Sequence, residues 1–286
     1  MANTFITMQA IARRALATLY NTTVLAGLVY RDYDEAFTGK VGDTVTVRKP
    51  ATFTAEEFER TAGITIQNAT ETGVDVKLDT ILDVSFAVTA EELTLNINDF
   101  ATRLLNPALE AIVQAVDEKI ATTLLTVTGT ATGNDHEALI EARKVLNQRK
   151  VPMSDRFGVW SPRAAAILLN DPLFHQADQR GDTDGLREAS IGRKFGFDNF
   201  ETQAFEDDGV AFHRDAVALV SRTLDKPMGV ASEQASVENY KGLGIRVVRE
   251  YDITKKQDVV SLDFLCGTKL LDGNRGIVVN VLPEGS

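Results

Sequence analysis

The chain has 286 residues, 44% hydrophobic and 25% charged, which suits a folded chain of about two domains and excludes a disordered tail. A formal net charge of -11 argues against tight phosphate binding through clustered Lys and Arg, and the single cysteine, Cys266, excludes an internal disulfide framework and fits a reducing compartment. No stretch approaches the ~20 apolar residues of a membrane span and no secretion-signal pattern opens the chain, so the expectation is a cytosolic protein.

Residues 5–20 (FITMQAIARRALATLY) read as a short helix with Ile11, Ala15 and Leu19 on one side and Arg13 and Arg14 on the other. It is too short to be stable alone. Residues 21–37 mix apolar pairs with charge and show no clean period, which predicts an extended arm lying on its own core or on a neighbouring copy. After a turn at Gly42-Asp43, Thr44-Val45-Thr46-Val47-Arg48 alternates as a half-buried strand that Pro50 stops. Residues 51–73 are polar and acidic and read as an excursion from the body. Alternation then runs through Val74, Val76, Leu78, Thr80, Leu82, Val84, Phe86 and Val88, with Asp75, Lys77, Asp79, Asp83 and Ser85 opposite and Ile81 out of step. That predicts one strand of roughly 50 Å. It lies within an ordinary sheet, or it is a projecting ribbon whose apolar face a second copy covers head-to-tail.

The dominant element is residues 98–125. Ile97, Phe100, Leu104, Leu105, Leu109, Ile112, Val113, Val116, Ile120 and Leu124 recur at helical steps, with Arg103, Asn106, Glu110, Gln114 and Asp117 as the polar stripe. One amphipathic rod of roughly 40 Å is expected, capped by Asn98. At Pro107 it either kinks or restarts with Asn106 as cap.

Residues 126–133 read as a small-residue turn. Asn134 or Asp135 caps a helix reaching Arg149, with Leu139, Ala142, Val145 and Leu146 buried and Lys144, Gln148, Arg149 and Lys150 outward or near its end. Residues 157–160 (FGVW) form a short strand, and Ser161-Pro162 starts a helix over 164–169. Residues 176–190 read as an exposed, mobile loop. Residues 195–205 and 211–220 are short elements of a mixed α+β domain, and 244–250, 259–265 and 276–281 are strands.

Catalytic constellations are thin. His136, His175 and His213 lie far apart without a second ligand at metal-site spacing. His213 with Asp215 resembles an oriented base, but no Ser or Cys sits in a nucleophile motif. Asp182-Thr183-Asp184-Gly185 fails as a calcium loop because Arg180 and Ile191 occupy ligand positions, and Gly242-Leu243-Gly244 precedes a strand instead of following one. No cofactor, no metal and no enzymatic activity are expected.

The order of segments carries a resemblance. LYNTTVLAGLVYRDYDEAF is followed by KVGDTVTVRKP, by VDVKLDTILDVSFAVTAEELTLNINDFATRLLNPALEAIVQAVDEKI, and then by FGFDNFET, GVAFHRDAVALV and GIRVVREYD. Over nearly its whole length the chain resembles the major capsid (coat) proteins of tailed bacteriophages, closest to the P22-coat-like branch without its extra inserted domain. The resemblance implies an α+β HK-97-like phage capsid fold. Its parts would be an N-terminal arm over 1–36, an extended loop and peripheral-domain strands over 37–90, a spine helix over 91–128, an axial domain over 129–240, and returning strands over 241–286. It further implies self-assembly through pentamers and hexamers into an icosahedral shell around double-stranded DNA held without sequence-specific binding. Scaffolding and portal proteins would be partners, a decoration protein could join them, and assembly would take place in the host cytoplasm. Leu25, Leu28 and Tyr30 in the arm, with Phe53, Phe58 and Arg60 in the loop, are the expected intersubunit contacts. Rival readings are an encapsulin-type nanocompartment on the same fold, and a soluble α+β enzyme using His213.

Overall fold

The computed structural model describes residues 9, 11–13, 15, 17, 23–31, 42–49, 55, 58, 60, 66, 72–89, 104–175, 191–227, 229, 234–240, 243–255 and 257–283. Asn98, Phe53, the arm residues 32–37 and the loop over 176–190, with its Asp182 to Gly185 run, lie outside the described residues.

A 3-10 turn, Leu25–Gly27, is followed by β1 (Thr44–Lys49), β2 (Thr72–Lys77) and β3 (Thr80–Thr89). The expected single strand over 74–88 is therefore two. β1 and β2 form an antiparallel ribbon, while β3 joins a different sheet, and the break falls at Leu78-Asp79. Alternation survives the break because the parity of inward residues is unchanged: Val76, Leu78 and Val88 are buried and Ile81 is exposed. Periodicity reports which side each residue faces, and is silent about which backbone it pairs with.

The central helix α1 (Asn106–Leu124) spans about 28 Å over its 19 residues. Leu104 and Leu105 precede it in a wider π-helical turn, so the backbone is already helical where Asn106 was expected to cap. Pro107 is accommodated in the first turn, where its missing N–H has no intrahelical partner to lose. Leu109, Ile112, Val116 and Ile120 of α1 share one core with the inner face of a second sheet.

That sheet contains β10 (Ala235–Tyr240), β11 (Leu243–Asp252), β12 (Gln257–Leu270) and β3 in this order, with β9 (Val217–Arg222) pairing to the far end of β12. The long strand of the molecule is thus β12, 14 residues and about 46 Å. It pairs with β3 over 257–266 and with β9 over 265–270, and Val260, Leu262, Phe264 and Cys266 point at α1. Cys266 is fully buried and burial pushes its thiol up to about 11, an unreactive packing residue.

A third, mixed sheet runs β4 (Thr130–Asn134), β13 (Gly276–Leu282), β8 (Gly209–His213), β5 (Arg156–Trp160), β7 (Phe197–Glu201) and β6 (Gly192–Lys194). Helices α2 (Glu137–Gln148), α3 (Pro162–Asn170) and α4 (Pro172–His175) cover it, burying Leu139, Leu146, Leu168 and Phe174 with Trp160 and Phe197. As expected, Ser161 caps α3, its Oγ accepting from Ala164 N at 3.1 Å. Gly209 is required beside Trp160, because a Cβ there would run into the indole ring.

Two expectations in this region are corrected. The small-residue stretch after α1 contains a strand: β4 has no hydrophobic alternation of its own and is held by parallel pairing to β13. Asn134 belongs to that strand and Asp135 takes a left-handed conformation at φ 43°, so His136 stands at the N-cap of α2 without capping by its side chain. Arg149 stands at the end of α2 as expected, and there it donates to the carbonyls of Thr128 at 2.8 Å and Gly276 at 2.9 Å, tying the helix end to the sheet edge. The sheets also interleave along the chain, since β9 packs beside α1 and β10 is the edge strand of the second sheet, while β13 returns to the third sheet.

Candidate functional site on the central helix

The segment 24–31 is tied to α1 by one side chain. Asp117 accepts hydrogen bonds from Val24 N at 3.1 Å on Oδ2 and from Leu25 N at 3.2 Å on Oδ1, supplying acceptors to the first free N–H groups of the 3-10 turn. Asp117 is only 6% exposed and lies among Val113, Val116 and Ile120, not on the polar stripe where helical period first puts it. Its place could have been read, since it stands four residues after Val113 and three before Ile120, at the edge of the apolar stripe. Burial pushes its carboxyl up to about 6, against the pull of the backbone N–H groups of Val24, Leu25 and Ala26. Beside it lies an open groove of about 540 Å³ between α1 and the turn after β7, lined by Val24, Val113, Glu118, Glu201 and Gln203 among others.

Beyond the turn the segment adds a rung to the second sheet: Tyr30 N donates to Val217 O at 3.0 Å and Leu219 N donates to Tyr30 O at 3.1 Å. Leu25 is fully buried and Leu28 nearly so, both in their own subunit's core. Within the chain both side chains pack in the core that α1 shares with the sheet beside it. Tyr30 is half-buried against the base of the ribbon.

Two residues further along α1, Lys119 holds the ribbon. Its Nζ donates to Asp79 Oδ1 at 2.9 Å and to Thr80 Oγ1, at the junction between β2 and β3. Asp79 is held below the usual carboxylate range, first by the Lys119 hydrogen bond. The junction is fixed on its other side by Gly42 N to Leu78 O at 2.6 Å and Leu78 N to Asp43 O at 2.8 Å. The apolar face of the ribbon, Val47, Val76 and Leu78, packs on Ala218, Val220 and Leu265, the outer side of the second sheet. A long ribbon that sequence leaves seeking cover thus has its base covered by its own chain. Gly267 permits this approach, since a Cβ there would meet the carbonyl of Lys77.

The remaining candidates stand apart. Phe58 is 62% exposed and Arg60 is exposed, as contact residues must be in an isolated subunit. The hairpin between β11 and β12 adds Tyr251 and Ile253, the latter 79% exposed, on a turn fixed by Asp252 Oδ1 accepting from Thr254 N at 2.8 Å. Sequence reading passed over both, because exposure of an apolar side chain is decided by its surroundings. His213 is buried, its Nδ1 accepts from Asp215 N at 3.2 Å, and burial lowers its pKa, so it is a neutral cap on the Arg214–Ala216 turn. Asp215 pairs instead with Arg275 at 2.9 Å. His136 stacks on Phe195 and bonds Asp171 at 2.5 Å. Among the described residues no group of three or more His, Cys, Asp or Glu is arranged to hold a metal ion, and no helix is long and apolar enough to cross a membrane.

No family model and no curated protein matches the chain. Solved structures do. A structure from Mycobacterium phage Che8 is 22% identical with a TM-score of 0.63, covering 93% of each chain. The capsid of cyanophage P-SCSP1u is 12% identical at TM-score 0.59, covering 92% of this chain and 89% of that one. The SrpI encapsulin complex from Synechococcus elongatus is 13% identical at TM-score 0.53, covering 98% and 91%. The chain has the α+β HK97-like fold of capsid and encapsulin shell subunits.

Proposed function

We propose that this chain is a major capsid protein, a structural subunit that assembles with copies of itself through pentamers and hexamers into an icosahedral shell enclosing a double-stranded DNA genome. The observation that carries this reading is coverage: phage capsid structures match about nine-tenths of this chain over a comparable share of their own. A subunit that must contact several neighbours needs segments reaching outward from a rigid body, and residues 23–31 and the β1–β2 ribbon both start from α1 and the sheet beside it. In this reading residues 1–36 are the arm, the ribbon and the residues it encloses are the extended loop, α1 with the second sheet is the peripheral domain, and the third sheet with α2–α4 is the axial domain. The P22-coat-like branch rests on the order of segments alone. Scaffolding and portal proteins are the proposed partners, with assembly in the host cytoplasm and the shell as final location.

Intersubunit contact is proposed for Phe58 and Arg60 in the loop, with Phe53 beside them, for Tyr30 at the root of the arm, and for Tyr251 and Ile253 at the hairpin tip. Removing residues 54–62 should leave a folded subunit that does not close shells. The test of the whole reading is sedimentation of the purified protein followed by negative-stain electron microscopy. Closed shells, tubes or spirals support it. A subunit that stays small even with its scaffolding protein supplied overturns it, and shells that carry a cargo enzyme in place of DNA would move the assignment to the encapsulin reading.

A further inference from the structure

We propose that Asp117 is a proton-linked latch, which holds segment 24–26 against α1 more tightly when its carboxyl is neutral than when it is charged, so that pH sets how firmly the N-terminal segment is attached. The latch is a property of the folded subunit and does not depend on the shell reading.

The geometry sets the sign. When the segment is docked it brings backbone N–H groups to the carboxylate and no cation, because residues 24–29 (VLAGLV) contain no titratable side chain. The other titratable groups at the groove are themselves acidic, Glu118 from α1 and Glu201 from β7. Lys119, the next cation on the helix, is committed to Asp79 and Thr80. A charged Asp117, 6% exposed among apolar side chains, thus has only N–H dipoles in its favour. Lifting the segment would uncover the carboxyl and return it to water. Protonation turns one oxygen into a donor and gives up one accepted N–H bond, yet burial outweighs the N–H groups among the influences on this carboxyl.

Linkage then gives the direction. A group that takes its proton at about 6 when docked, and at the ordinary 3.8 when exposed, makes docking proton-absorbing, so docking strengthens as pH falls. The docked-to-released ratio is flat above about pH 7 and rises roughly tenfold between pH 7.5 and pH 5.

Hydrogen–deuterium exchange of the full chain, kept unassembled and corrected for intrinsic rates, reads this from peptides spanning residues 23–31, with peptides of α2 as internal reference. In the wild type, protection of these peptides relative to α2 should rise about tenfold from pH 7.5 to pH 5. Asp117→Asn, a neutral isostere, should show the tight level at both pH values, and Asp117→Ala should be weakly protected at both. Wild-type protection that is unchanged or falls on acidification overturns the proposal. So does a pH slope that persists in either variant, and since the wild-type slope stands alone, the test survives the failure of one variant to fold.

Discussion

Asp117 and Lys119 stand two residues apart on one helix and each ties down a segment of the chain, residues 24–31 or the β1–β2 ribbon, but by opposite physics. Asp117 is enclosed and faces only dipoles, so its charge is a burden to the fold; Lys119 meets Asp79 at the surface, where both charges remain in contact with water. The carboxyl of the first is pushed up by burial and that of the second is held down by its ammonium partner. A buried anchor is therefore strong in packing and sensitive to protons, while a surface anchor is weak, sensitive to salt and easily re-formed. The root of the arm is built into the core, and the root of the ribbon is pinned by packing with a minor electrostatic catch.

The sharpest way to break this contrast is to remove packing at the arm root. Leu25→Ala, at a fully buried site, should cost about 2–5 kcal/mol in urea unfolding of the unassembled subunit. A loss below 1 kcal/mol would mean that the segment contributes little to its own subunit.

Next comes the charge. With its carboxyl raised from 3.8 to about 6, Asp117 binds protons more tightly in the folded chain, so its contribution to stability is greatest below about pH 4 and is lost as pH rises to about 6. The whole span is about 3 kcal/mol at ~1.4 kcal/mol per unit. Asp117→Asn should therefore match or fall below the wild type at pH 4 and exceed it by up to about 3 kcal/mol at pH 8, measured by denaturant unfolding at both.

The surface catch should respond less. A double-mutant cycle of Asp79→Ala and Lys119→Ala should give a coupling of about 0.2–1 kcal/mol that shrinks in 1 M salt. Its acid dependence runs the other way: the pair's contribution is present above the ordinary carboxylate range and disappears as pH falls through the lowered pKa of Asp79.

Smallest of all is the exposed loop. Phe58→Ala should leave subunit stability within about 0.5 kcal/mol and act, if the shell reading holds, on the yield of closed particles. Leu25 and Phe58 were both expected to meet a neighbour, and this pair of substitutions separates a residue used inside the subunit from one presented outside it.

Much of the architecture was legible because it is written in local period. The apolar steps through Leu109, Ile112, Val116 and Ile120, the alternation of Val74 to Val88 and the Ser161-Pro162 helix start each depend on residues within a turn or two of one another. Of the site, the residues that hold segment 24–31 and the ribbon to α1 were not legible. The break at Leu78-Asp79 has no turn signal, because the chain changes partner there without changing the parity of its buried residues. The carbonyls of Thr128 and Gly276 that Arg149 meets at the helix end lie in other elements, which no helix-end pattern displays.

By itself, then, the sequence determined which residues face inward along each element, since that follows from 3.6- and 2-residue periods that any short window displays. It also determined, through its order of segments, the family resemblance. Tertiary structure alone decided that β12 and not the 74–88 run is the long strand, that β4 is a strand at all, that Leu25 is spent within its own subunit, and that Asp117 is buried beneath Val24. The reason is common to all four: pairing and burial belong to surfaces brought together from residues up to about a hundred or more positions apart, and local pattern carries no record of that meeting.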